Sequence, residues 1–137
     1  MKITQFDPSR DLIIVDARIW GRSNYRQLTL AVDTASAATV VTPYVIERIG
    51  YTPRDATAIT AVRSAIGKEQ GYILKVARFA TLGFVLQDFE VNVFDLATGY
   101  DIDGFIGLNF LRNFDYEVRS IAGKFGLRPA VADTAPA

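Results

Sequence analysis

The amino-acid sequence predicts a mostly β domain, a closed barrel with one or two short helices. Three observations predict it: many short runs rich in β-branched and aromatic residues, turn-forming residues between those runs, and only two brief stretches with helical spacing. The run Leu12-Ile13-Ile14-Val15-Asp16-Ala17-Arg18-Ile19-Trp20 reads as a first strand, and Gly21-Arg22-Ser23-Asn24 as the turn after it. Gln27-Leu28-Thr29-Leu30-Ala31-Val32 alternates and then becomes wholly apolar, the pattern of a strand entering a core. It ends at Asp33-Thr34-Ala35-Ser36, and Ala38-Thr39-Val40-Val41 reads as a third strand. A short helix should follow, with Thr42 as N-cap, Pro43 in the first turn, Gly50 just past the end, and Val45, Ile46 and Ile49 on one face.

Residues 58–76 form two strand-like arms around a tip with Gly67, Gly71 and several charges, the signature of a long hairpin. Further strands are expected over 78–82, 84–86 and 89–96. Residues 100–111 pass from a turn into an apolar strand and a second short helix, and 116–118 with 124–127 supply a closing hairpin. Asp101 and Asp103 resemble the start of a calcium loop, but no acidic series follows, so a solvated turn is the expectation. The domain should span residues 1–128, and the Ala/Pro-rich segment 129–137 should be a disordered tail.

Composition narrows the chemistry. At 137 residues the chain suits one domain with a real core. Net charge is zero, from 15 basic and 15 acidic residues, without the basic excess of a nucleic-acid binder. No apolar run approaches the roughly 20 residues that cross a bilayer, and the N-terminus lacks the apolar stretch of a signal peptide, so a cytoplasmic protein is expected. There is no Cys and no His. That excludes Ser-His-Asp triads, Cys-His dyads, disulfides and zinc sites of thiolate or imidazole, and no metal or cofactor is expected. Proton chemistry in such a chain falls to carboxylates.

The segment Leu30-Ala31-Val32-Asp33-Thr34-Ala35-Ser36 resembles the active-site loop of the aspartic proteases, which place Asp-Thr/Ser-Gly and then Ala or Ser after an apolar strand. The triplet alone is weak: Asp133-Thr134-Ala135 repeats it in the tail. Context distinguishes the first copy, as does Gly104-Phe105-Ile106-Gly107-Leu108-Asn109-Phe110-Leu111, which resembles the family's late apolar-apolar-Gly strand and following helix. The resemblance covers residues 11–127, with retroviral-type (retropepsin-like) and bacterial single-lobe members, and the stretch from Asp103 looks most similar to the bacterial ones. It implies a single-lobe closed barrel and an aspartic endopeptidase with Asp33 as catalytic carboxylate.

Two nearby carboxyls that share one proton provide both general base and general acid, whereas one carboxylate cannot play both parts. The chain has one copy of the loop in context, so the resemblance implies a homodimer whose twofold axis supplies the second Asp33. It further implies that Thr34 bonds across the axis, that Ala35 and Ser36 support the loop with Ser36 meeting substrate backbone, and that Ser64, Ala65, Ile66 and Gly67 belong to a flap closing over a peptide substrate. Phe105 and Ile106 would line side-chain pockets, although each taken singly is an ordinary core residue. Three positions depart from the pattern: Ala35 replaces Gly, Ala37 replaces an Asp, and Leu108 replaces the Arg that pairs with it. Ala35 motivates a rival reading, a catalytically inactive dimerisation or peptide-binding module of the same fold; a small barrel for an apolar ligand is a third.

Overall fold

The computed structural model describes residues 1–64, 67–96 and 101–129, with only the backbone at 61–64 and 67–70. Ten strands and two short α-helices make two sheets. β2 (Ile14–Trp20) and β3 (Tyr25–Val32) form an antiparallel hairpin with Val15, Ala17, Ile19, Leu28 and Leu30 turned inward. Period-two alternation dictates this, since reversing the faces would bury Asp16 and Arg18. β4 (Val40–Val41) is only two residues long; before it, Thr39 gives its carbonyl to Asn92 N of the neighbouring strand, while its N–H and hydroxyl both bond Asn109 Oδ1. α1 (Pro43–Arg48) starts at Thr42 as expected, yet Thr42 makes no side-chain cap. Val45, Ile46 and Ile49 are buried, and Gly50 reverses the chain at φ 96°.

β5 (Ala58–Ser64) and β6 (Gly67–Thr81) are the arms of the long hairpin, paired down to Ser64 opposite Gly67. Of the four expected flap residues, Ser64 and Gly67 are thus the last described rung, and Ala65 and Ile66 lie outside the described residues. β6 is one strand of 15 residues, not the two expected. Its first half pairs with β5, its second half with β2, and most of it with β7 (Phe84–Val93). β7 is also continuous, with a local break at Asp88 (φ 48°) that the sequence reading took for a strand end. Leu82 (φ 55°) and Gly83 (φ 91°) turn β6 into β7; both central residues of this tight hairpin are left-handed, as strand twist favours.

β8 (Gly104–Ile106) runs parallel to β3 and antiparallel to β4, and α2 (Leu108–Leu111) follows directly. The sheet order is β2-β3-β8-β4-β7-β6, and the β2–β6 pairing closes these strands into a barrel with β5 outside. A second sheet, β1 (Lys2–Gln5), β10 (Lys124–Pro129) and β9 (Phe114–Arg119), inserts Phe125 and Leu127 into the core. β1 was not expected, since four residues with one half-buried side chain carry little periodic signal. Pro129 pairs with Phe114 at the end of β10, and residues 130–137 of the expected tail lie outside the described residues. The barrel interior is filled: Phe79 stacks on Phe89 at 4.8 Å between ring centres, and Phe110 meets both edge-on. Burying rings of this size stabilises by about 2–3 kcal/mol each. Among the described residues these rings occupy the interior that the third reading would give to an apolar ligand.

Tyr72, on β6 opposite Ile59 and Val93, has its phenol pushed above the ordinary value of 10.0, first by burial and then by the charges of Glu47 and Asp55. The folded protein therefore keeps a proton that the unfolded chain releases. The contribution is full below the unfolded value and is lost as pH rises through the folded one. Urea unfolding at about pH 9 and about pH 11 should show a drop in midpoint that is smaller in Tyr72→Phe than in the parent. Equal drops would show that Tyr72 does not contribute to it.

Candidate active site

Asp33 follows the last residue of β3, and the backbone fixes it from both sides. Its N–H donates to the carbonyl of Ile106 at 2.9 Å, and its own carbonyl accepts from Ser36 N at 3.2 Å. Its Oδ1 accepts from Ala35 N at 3.0 Å, a local side-chain-to-backbone turn of the kind Asp favours. Asp33 is half-buried, Thr34 and Ala35 are exposed, and Oδ2 has no partner among the described residues. A carboxylate is thus held by one oxygen and offered by the other.

The loop is locked to β8 and α2. Leu108 N donates to Ser36 O at 2.8 Å and Asn109 N to Ala37 O at 3.1 Å. Asn109 Oδ1 accepts from both Thr39 N (2.9 Å) and Thr39 Oγ1 (2.7 Å), Thr39 Oγ1 accepts from Gly107 N (3.1 Å), and Asn109 Nδ2 donates to Glu90 O (2.8 Å). Thr39 is fully buried, and this network satisfies it. β8 and the loop approach so closely that a Cβ on Gly107 would overlap the carbonyl of Ala38, and one on Gly104 that of Val40. Asp103 fastens the other end: its Oδ2 accepts from Thr29 N at 2.9 Å, and its N–H donates to Thr29 O at 2.7 Å. Of the expected solvated turn, Asp101 is exposed, whereas Asp103 is a half-buried clamp on β3.

The expected site residues divide. Asp33, Thr34, Ala35 and Ser36 form one loop, and Phe105 is half-buried on β8 beside it. Ser36 Oγ donates to Ala38 O at 2.7 Å, so the hydroxyl braces its own loop. Ile106 is a correction. It is fully buried in the core, because neighbours on a strand face opposite ways and Phe105 takes the outward side. Ile106 serves the loop through its carbonyl, not as a pocket wall. The hairpin residues Ser64 and Gly67 are not brought to Asp33 by any described contact.

Two departures from the family pattern acquire physical explanations. Among described non-glycine residues only Leu82 and Asp88 have positive φ, so Ala35 sits in backbone that any L-residue adopts, with its methyl exposed. Leu108 packs against the core, so apolar contact stands where an ion pair with position 37 would be. Sequence reasoning missed the role of Asn109 and read Asp103 only as part of a solvated turn; the only signal was a polar side chain next to, or two residues from, a Gly in an apolar run. Four concavities among the described residues are lined by other side chains, and Asp33 lines none of these four. The nearest in sequence is a hollow of about 180 Å³ between Ala37, Ala38, Ile73, Asn92 and Asn109. No group of three or more acidic residues that could hold a metal occurs among the described residues, nor a helix long and apolar enough to cross a membrane.

A closed six-stranded barrel that presents one carboxylate on a glycine-braced loop defines a single-lobe, retropepsin-like protein. The family model for aspartyl proteases matches residues 15–110, and the chain belongs to that family. Among solved structures it is similar to a retropepsin-like aspartic protease from Rickettsia conorii, with a TM-score of 0.69 at 14% identity, over 91% of this chain and 87% of that one. No curated protein matches.

Proposed function

We propose that this chain is an aspartic endopeptidase whose active unit is a homodimer, with Asp33 from each protomer facing the other at the twofold axis. The observation that carries the reading is the carboxylate itself: Oδ1 tied to Ala35 N, and Oδ2 without a partner among the described residues, on a loop whose Thr34 and Ala35 are exposed. In the dimer the two carboxyl groups share one proton. The ionised one takes a proton from a water as that water attacks the peptide carbonyl carbon. The protonated one gives its proton to the carbonyl oxygen, so a neutral tetrahedral diol forms. Its collapse returns a proton to the carboxylates, moves another to the leaving nitrogen and breaks the C–N bond. In this reading Thr34, exposed and without a side-chain partner among the described residues, bonds across the axis. The β5–β6 hairpin, with Ser64, Ala65, Ile66 and Gly67 at its end, serves as the flap over an extended peptide, and Phe105 borders an apolar side-chain subsite.

The unstrained backbone at Ala35 favours an active loop over a decayed one. A half-site also accounts for why Asp33 lines none of the four concavities described among these residues. The test is a dilution series. Cleavage of a peptide library and sedimentation should give the same midpoint concentration, with activity per protein falling as dimer dissociates. Full activity in a sample that sediments as monomer would sink the proposal.

A further inference from the structure

The outward face of the barrel where β2, β3 and β6 meet carries a feature unrelated to Asp33. Trp20 on β2 lies between Tyr25 on β3 and Arg78 on β6, all on one rung of the sheet. The Arg78 guanidinium is 4.6 Å from the Trp20 ring centre, and that of Arg18, on the next outward rung of β2, is 5.0 Å from Tyr25 and 5.8 Å from Trp20. Both arginines are exposed, and neither has a carboxylate within ion-pair distance among the described residues. A groove of about 240 Å³ starts at Arg18 and Gln27, runs over Asp16 and Ala80, and is walled by Phe84 and Val85, the latter 52% exposed.

Stacking on an aromatic face fixes a guanidinium while leaving its N–H edge free, and that edge matches a carboxylate. We infer that this face is a docking site for an extended acidic segment of a protein partner. Carboxylates on alternate residues of the segment meet Arg18 and Arg78, and a neighbouring apolar side chain fills the groove against Phe84 and Val85. Arg78 lies about 7 Å from Arg18 along the strands and one strand, about 5 Å, across, a separation on the order of the roughly 7 Å between alternate residues of an extended chain. Charge complementarity chooses the partner. Two unpaired cations call for anions, while Asp16 inside the groove opposes a continuous polyanion such as nucleic acid and calls for a neutral or basic residue at that end of the segment.

The site needs neither Asp33 nor the dimer axis, so binding is measured on the full chain carrying Asp33→Asn, whatever becomes of the catalytic reading. Trp20 is the only tryptophan, so intrinsic fluorescence reports on the site alone. The probes are a tryptophan-free peptide with Leu followed by two Asp residues spaced i and i+2, its Asn counterpart, an oligothymidylate and vesicles containing phosphatidylserine. The acidic peptide is expected to shift the emission saturably and to weaken with salt. Arg18→Gln and Arg78→Gln should each weaken it about tenfold, the scale of one charge-assisted pair. Equal binding of the Asn peptide, stronger binding of the oligothymidylate or the vesicles, or unchanged affinity in both arginine variants would each overturn the inference. Circular dichroism of the two variants separates lost binding from lost fold.

Discussion

Asp33→Asn is expected to lower peptide cleavage by at least about 10³-fold while leaving the barrel and the dimer in place. The size follows from symmetry, since one substitution removes both carboxylates of the pair and with them the general base and the general acid together. The preserved fold follows from the loop. Asparagine keeps an Oδ1 that accepts from Ala35 N, and the bonds from Asp33 N to Ile106 O and from Ser36 N to Asp33 O are made by backbone. Thermal unfolding and sedimentation should therefore match the parent, and only turnover of a quenched peptide should change. A pH profile sharpens the test. The parent should show a bell, because cleavage needs the pair to carry one proton and fails when it carries two or none. Unaltered cleavage by the variant would move the chemistry to other residues. Equal inertness of parent and variant across the pH range would instead support the inactive-module reading.

How much of this could be read from the residues alone depends on what each residue must satisfy. Strands with one buried face wrote themselves plainly: Val15, Ala17 and Ile19 alternate with Asp16 and Arg18, and their register follows. The candidate loop was legible because an Asp-Thr-Ala-Ser turn directly after an apolar strand, echoed by a Gly-flanked apolar strand much later, has few structural uses. Ile106 was misplaced because the motif names a stretch of chain and does not say which side of the strand each side chain takes. Strand continuity was illegible for a different reason. Leu82 and Asp88 adopt positive φ under tertiary constraint, and nothing local in a Leu or an Asp announces whether the chain turns, breaks or carries on. The roles of Asn109 and Asp103 were missed because their partners, Thr39 and Thr29, lie about seventy residues away, 70 for the first pair and 74 for the second. Long-range polar cross-links have no period to betray them.

The same cross-linked core makes Gly107 a sensitive position for stability. Its backbone, φ −102° and ψ −174°, is one that any residue adopts, so conformational freedom is not what glycine supplies here. Space is. A methyl at this position would overlap Ala38 O and come within 2.9 Å of Ser36 O, and both are backbone atoms anchored by other bonds. Relief requires the 36–38 segment to move away from α2, which breaks the bonds from Leu108 N and Asn109 N and strains the Thr39–Asn109 network. Gly107→Ala should cost about 3 kcal/mol or more, and lower Tm by about 10 °C in a chain of this size. Gly126→Ala is the matched control. A methyl there also collides, but with Met1 Sδ and Ile3 Cδ1, the flexible ends of side chains that are 55% and 47% exposed and can swing aside. That variant should lose less than about 1 kcal/mol. Because the displaced segment begins three residues after Asp33, Gly107→Ala should also cut cleavage at temperatures where it remains folded, whereas Gly126→Ala should not. Equal Tm values for the two variants would mean that the loop yields easily, and a loop that yields cannot hold a carboxylate to the tolerance its chemistry requires.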